Sequence, residues 1–277
     1  MDAINFLKMH GIGNDFVVID ARLRRIDLSR QQARAIANRH TGIGCDQLLV
    51  IETANDEHAD AFMRIYNTDG SESEACGNGT RCVASLILAQ NNSRHCIIET
   101  LAGLLDCEAV EDGQVSVDMG PANLDWRDIP LSEAIDTLHL NAGSGPLQDP
   151  VAVNMGNPHA VFFVDDAEAV DLAIHGPIIE NHKLFPARVN VEVAQVISPA
   201  HMRLRVWERG VGETLACGSG ACATIVAASL RGLTERQASI DLNGGTLHLQ
   251  WMPDNHVMMT GPVATSFSGI INPALLV

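Results

Sequence analysis

One short pattern occurs twice in this chain, and it limits the fold more than any other feature. Ala75-Cys76-Gly77-Asn78-Gly79-Thr80 and Ala216-Cys217-Gly218-Ser219-Gly220-Ala221 both read Ala-Cys-Gly-polar-Gly-small. Each runs directly into an apolar helical pattern. The cysteines are 141 residues apart in a chain of 277, close to half its length. A duplication at that spacing implies two similar lobes, each offering one cysteine at the start of a helix. The length admits two domains of ordinary size, and 46% apolar residues suffice for packed cores.

The segments between the repeats read as strands and hairpins more often than as helices. In the first half, Asp15–Asp20, Gln47–Ile51 and Ala61–Tyr66 have the apolar, β-branched character of short strands. Ser29 to Arg39 reads as a helix, with Ser29 and Gln32 forming a capping box and Ala33, Ile36 and Ala37 on one face. A second helix follows Gly79, and Leu104 to Met119 reads as a hairpin turning at Asp112-Gly113. In the second half, Val161–Val164, Val189–Ile197 and Met202–Trp207 read as strands. Asp166 to His175 reads as a helix stopped by Gly176-Pro177, and another helix runs from Gly220 to Gly232. Hairpins at Asn243-Gly244 and Asp254-Asn255 close the series. With no long βαβ run, the class is α+β.

A cysteine at a helix start meets unpaired backbone N–H groups and partial positive charge. That setting stabilises a thiolate and predicts a pKa below the ordinary value of roughly 8.5. The flanking glycines admit a ligand close to the backbone and leave N–H groups for a carboxylate. Four readings of the pair follow. The cysteines can simply pack within glycine-rich turns. They can bind zinc, although Cys76/Cys82 falls outside the usual Cys-x2–4-Cys spacing and Cys217/Cys222 only reaches its upper limit. They can form a redox disulfide, although no Cys-x-x-Cys is present. Or they can serve as base and acid on opposite faces of one carbon, which inverts it. A weakly acidic α-proton then also needs donors on the neighbouring carboxylate and a dry site.

Composition removes several classes. Eighteen basic and thirty-four acidic residues give a formal net charge of −16, unsuited to neutralising nucleic-acid phosphates. No apolar run reaches the length of a membrane span, and the start lacks a signal-peptide pattern, so a cytoplasmic protein is expected. Seven cysteines in a chain this long do not suggest a disulfide framework. Only Lys8 and Lys183 are available for Schiff-base chemistry, so a pyridoxal enzyme would have to use one of them.

Longer motifs frame the two cysteines. Lys8-Met9-His10-Gly11-Ile12-Gly13-Asn14-Asp15-Phe16 opens the chain, and Asn67-Thr68-Asp69-Gly70-Ser71-Glu72 leads to Cys76-Gly77-Asn78-Gly79-Thr80-Arg81. Gly156-Asn157-Pro158-His159 lies mid-chain, and Glu208-Arg209-Gly210-Val211-Gly212-Glu213-Thr214 precedes the second cysteine repeat. In this order, and nearly end to end, they resemble the diaminopimelate epimerase family, pyridoxal-phosphate-independent enzymes of lysine and peptidoglycan precursor synthesis. The resemblance implies two pseudo-symmetric α+β lobes, each a mixed or antiparallel sheet wrapped around a central helix, with the active site in the cleft between them. It also implies a C-terminal segment returning to the first lobe, giving 1–120 with 264–277 and 121–263. Cys76 and Cys217 would be the acid/base pair that interconverts LL- and meso-diaminopimelate without a cofactor or metal. Asn14, Gln47, Asn67, Asn157, Asn190, Glu208 and Arg209 would contact substrate, with backbone N–H groups of Gly77, Asn78, Gly218 and Ser219 around the reacting carboxylate. His159 and Glu208 would tune the thiols, and the assembly would be a homodimer. Arg209 can hold a carboxylate bidentately, and Glu208 can hold an ammonium.

Three positions depart from the pattern: Cys45, a possible extra reactive thiol, Trp207 before Glu-Arg-Gly, and Val193 where phenylalanine is expected, which puts local packing in question. The residues alone also leave open a racemase or epimerase of proline or hydroxyproline type. A non-catalytic amino-acid-binding protein on the same fold remains a further alternative.

Overall fold

A computed structural model describes residues 3–276. Met1, Asp2 and Val277, the outermost ends of the expected first lobe, lie outside the described residues. The chain divides into two compact units: the described residues up to Val117 with those from Gly261 onward, and Asp118–Thr260.

The two units repeat one strand order. In the first, Asn5–Gly11 runs antiparallel to Asn14–Asp20, which runs parallel to Gln47–Glu52. Gln47–Glu52 is antiparallel to Ala61–Asn67, which is parallel to His95–Thr100. Gly103–Ala109 and Val115–Pro121 continue antiparallel. Ala264–Ile270 returns to pair with Asn5–Gly11. In the second unit the same sequence of pairings joins Val151–Asn154, Pro158–Phe163, Asn190–Ser198, His201–Glu208, Gln237–Leu242, Gly245–Trp251 and His256–Gly261. Each unit also adds a short strand after its fourth, Glu72–Ser73 and Gly212–Thr214.

Helices occupy matching places. Arg30–Ala37 (α1) and Leu172–Glu180 (α3) connect the second and third strands of their units. Gly77–Asn91 (α2) and Gly218–Leu230 (α4) follow the short strands and form the central helices. α4 is buried from Gly220 to Ala228 without interruption, which explains its lack of a polar face. The third strand of the first unit is apolar at four successive positions because both its faces are covered. Leu48 and Val50 share a core with Ala33 and Ile36 of α1. Leu49 turns the other way and lies against Gly79 of α2.

The strand and hairpin expectations match the observed elements closely, and the Ser29–Gln32 capping box is present at α1. α3 differs. The sequence pattern places a helix over Asp166 to His175 with a stop at Gly176-Pro177, but the helix runs from Leu172 to Glu180 through Pro177. Asp171 caps it, its carboxylate accepting from Ile174 N–H at 3.3 Å, so the helix begins late and Pro177 removes one early bond rather than ending it. Gly176 is not a terminator either. A Cβ there would lie 2.5 Å from the Trp207 indole, which packs on that glycine and donates its N–H to Glu180 at 2.8 Å. Val193 is fully buried in the core that includes Phe162 and Leu172, so the smaller side chain leaves this layer packed.

Candidate active site

The strand pattern sets where the polar residues go. In the first unit the second and third strands are parallel and the fourth is antiparallel, so two strand starts and one strand end share an edge of the sheet. Phe16 pairs with Gln47, and Gln47 with Asn67. Asn14, Gln47 and Asn67 therefore line one end, half-buried. Gln47 donates to Asn67 Oδ1 at 3.0 Å, and Asn67 donates to Ser71 at 3.1 Å. In the second unit the same edge carries Asn157, His159, Asn190 and Glu208: His159 pairs with Asn190, and Val191 with Trp207. Gly13 and Gly156 turn the chain into this edge in each unit, with φ of 86° and 89°, a left-handed region that disfavours a side chain.

Each cysteine is the N-cap of a central helix. Gly79 N–H donates to Cys76 Sγ at 3.4 Å, and Gly220 N–H to Cys217 Sγ at 3.4 Å. A Cβ on Gly79 would sit 3.1 Å from Leu49, and one on Gly220 would sit 2.9 Å from Glu192 Oε1. The glycines are required because the helix start must come this close to the sheet. In each first turn Gly77 and Asn78, or Gly218 and Ser219, carry N–H groups that precede the first intrahelical bond.

The surroundings of the thiols differ. Cys76 is half-buried, and its thiol faces Asn14 Oδ1 at 3.9 Å. That oxygen also accepts from Asn78 Nδ2 at 3.2 Å, while Asn14 Nδ2 donates to Asp46 at 2.9 Å. Behind Asp46 lies a charge network. Arg39 reaches both Asp15 and Asp46, and Lys8 donates to Asp15 and to the Gly44 carbonyl. Lys8 is thus committed to a carboxylate rather than presented to a ligand.

Cys217 is buried and contacts Ser219 Oγ at 3.6 Å. Its pKa stands well above the ordinary thiol value, first from burial, then from the charge of Glu208, then from any charge on Glu192. This corrects the expectation that a helix start lowers it, because desolvation and the Glu208 carboxylate outweigh the helix-end field here. Glu208 is held by Thr214 Oγ1 at 2.5 Å. Asn190 donates to the Pro158 carbonyl at 3.0 Å and accepts from Arg209 N–H at 2.9 Å. The Arg209 guanidinium donates to the Ala187 carbonyl at 3.0 Å.

His159 is fully buried. Its Nδ1 lies 2.7 Å from Glu192 Oε1 and its Nε2 lies 2.9 Å from Asn157 Oδ1. Glu192 and Asp46 are the residues that sequence reasoning missed. The available signal was a lone carboxylate inside the apolar run Val189–Ile197. Cys45 is also corrected. It is fully buried, and burial pushes its pKa up to about 11, which makes it a packed thiol rather than a reactive one.

With this geometry in hand, comparison with known proteins is decisive. The family model described as diaminopimelate epimerase matches residues 6–124 and 151–266. The chain belongs to the diaminopimelate epimerase family. A diaminopimelate epimerase of Rhodospirillum centenum is 62% identical, over 98% of this chain and 93% of that relative. One from Acidiphilium cryptum is 54% identical over 98% and 97%. Among solved structures, a hydroxyproline epimerase from Agrobacterium vitis aligns with a TM-score of 0.68 at 17% identity, covering 97% of this chain and 92% of that one. A phenazine biosynthesis PhzF-family protein of Enterococcus faecalis aligns at 0.70 and 16%, covering 98% and 100%. At such identities the likeness is one of fold, a two-lobe α+β fold. No helix among the described residues is long and apolar enough to cross a membrane.

Proposed function

We propose that this chain is an isomerase that epimerises LL-2,6-diaminopimelate to meso-diaminopimelate by passing protons between two cysteines. The observation that carries the reading is the doubled cysteine N-cap, each thiol bonded by a glycine N–H, in two units of one topology within this family. Inversion requires one group to take the α-proton and another to deliver a proton to the opposite face. Cys76 and Cys217 supply both. The thiolate of one takes the α-proton and becomes a thiol. The carbon accepts the proton of the other, which becomes the thiolate, and the reverse reaction exchanges the roles.

The remaining residues bind and orient. The N–H groups of Gly77, Asn78, Gly218 and Ser219 receive the reacting carboxylate and stabilise charge that develops on it. Asn14, Gln47, Asn67, Asn157 and Asn190 offer donors and acceptors to a zwitterion, Arg209 a guanidinium to a carboxylate, and Glu208 a carboxylate to an ammonium. Glu208 and His159 tune the protonation of the thiols. We assign the protein to the cytoplasm, to lysine and peptidoglycan precursor synthesis, and to a homodimer on the family resemblance. Sedimentation tests the homodimer.

The decisive experiment is incubation of LL-diaminopimelate in D2O, with proline and hydroxyproline in parallel. The expected result is meso product carrying deuterium at the inverted carbon, with the two imino acids unchanged. Inversion without deuterium at that carbon overturns the two-thiol mechanism, and turnover of an imino acid alone overturns the substrate.

A further inference from the structure

The repeat makes the two units residue-by-residue controls for each other. Asn14, Phe16, Gln47 and Leu49 of the first unit correspond in strand position to Asn157, His159, Asn190 and Glu192 of the second. Leu49 and Glu192 occupy the same place, against the glycine that bonds each catalytic thiol. Phe16 and Leu49 are both fully buried, and so are His159 and Glu192. The fold therefore fills this layer with two apolar side chains in one unit and with a carboxyl and an imidazole in the other. A buried polar pair where the same architecture accepts hydrocarbon costs desolvation and calls for a reason beyond packing.

The hydrogen bonds supply one. Asn157 Oδ1 can only accept, so the His159 Nε2 beside it carries a proton. The second proton lies between His159 Nδ1 and Glu192 Oε1. Placing it on the imidazole would leave a buried carboxylate whose Oε2 has no hydrogen-bond partner. Placing it on Glu192 leaves only a neutral carbonyl oxygen unpartnered, which costs far less. Burial likewise pushes the Glu192 pKa up, against the opposing pull of His159 and nearby backbone amides.

We infer that Glu192 is a positioning residue that donates a proton to His159 Nδ1, fixes the Nε2–H tautomer, and thereby aims Asn157 with its amide N–H2 turned to the substrate. A neutral Glu192 also spares Cys217 a second adjacent carboxylate charge. This inference rests on the reading of Asn157 as a substrate contact.

Four variants and one spectrum test it. The 15N spectrum of His159, assigned by its loss in His159→Gln, should show a bare Nδ1 and a protonated Nε2. Glu192→Gln, which can still donate to Nδ1, should keep that pattern and stay within about threefold of wild-type KM. Glu192→Leu should yield mixed tautomers and raise KM for diaminopimelate about tenfold, the scale of one misplaced hydrogen bond, with kcat changing less. The double variant His159→Phe with Glu192→Leu copies the first unit's pair. It should fold with an undiminished denaturation midpoint and still show the raised KM. Two protons on the wild-type ring, a glutamine variant no better than leucine, or a double variant with wild-type KM would each overturn the inference. If wild-type protein leaves diaminopimelate untouched, the functional reading fails instead, and the ring spectra still decide the tautomer.

Discussion

The two units share a strand order, a central helix and a cysteine N-cap, yet they surround the cysteine with opposite chemistry. Beside Cys76 stand the amides of Asn14 and Asn78, and behind Asn14 lies the Lys8–Asp15–Arg39–Asp46 network. Around Cys217 the carboxyl groups are near, Glu192 and Glu208, and the thiol is buried. The equivalent asparagines show the same split. Asn14 is held by a carboxylate and another amide, and Asn157 by an imidazole. The duplicated fold sets each thiol at a helix start, and in the second unit burial and Glu208 raise the thiol's proton affinity. A two-thiol epimerisation needs this, since at any moment one sulfur must hold a proton and the other must not. Burial and the Glu208 charge favour the protonated form of Cys217.

The largest expected effect tests whether both units work in one reaction. Cys76→Ala and Cys217→Ala should each lower kcat for inversion by about 10³-fold or more, the scale of removing an acid–base group. Combining them should cost little beyond either alone, because the pair acts as a unit. If one single variant keeps near wild-type turnover, the units are not partners and the comparison fails.

Much of this was legible in the sequence, for stated reasons. The repeat at 141 residues, the capping box at Ser29 and the turns at Asp112-Gly113 and Asn243-Gly244 are local signals, and the elements form where those signals lie. What could not be read depends on contacts between distant residues. Pro177 sits inside α3 because Asp171 caps the helix late and Trp207 rests on Gly176. The upward shift at Cys217 needs burial and Glu208, and the thiol comes near Glu208 because the short strand Gly212–Thr214 turns back on the fourth strand. A local rule about helix starts gave the wrong sign because it omitted both. Asp46 and Glu192 went unnoticed because nothing next to them in sequence marks the partner that each supports.

The charge network behind Asn14 gives the next effect, on stability. Burial alone would raise the Asp15 pKa, but hydrogen bonds from Arg39 and Lys8 more than offset this and hold it below the usual carboxylate range. An unfolded aspartate titrates near 3.9. Because the folded value is depressed, the stabilisation is fully present above about pH 4 and is lost as pH falls through the folded value. Asp15→Asn should therefore cost about 2 kcal/mol at pH 7 in urea unfolding, the scale of a charge-assisted bond. The gap to wild type should narrow below about pH 4. A gap that is flat in pH would mean that the network does not hold the first unit electrostatically, and the contrast with the buried pair of the second unit would weaken.

The smallest effect isolates the carboxylate at Cys217. After burial, Glu208 is the largest cause of the raised thiol pKa, and Glu208→Gln removes its charge while keeping a group able to accept from Thr214 Oγ1. The thiol pKa should then fall, so more thiolate exists at any pH below the midpoint. Alkylation of Cys217 at pH 8, followed on its peptide by mass spectrometry, should quicken severalfold, because more of the reactive thiolate is present. Wild-type Cys76, half-buried where Cys217 is 7% exposed, should still be modified first. Because Glu208 is also proposed to bind substrate, alkylation of the unliganded protein separates the two roles: it reports only the thiol. An unchanged rate in Glu208→Gln would assign the high pKa of Cys217 to burial alone. The difference between the two cysteines would then be one of depth in the fold rather than of neighbouring charge.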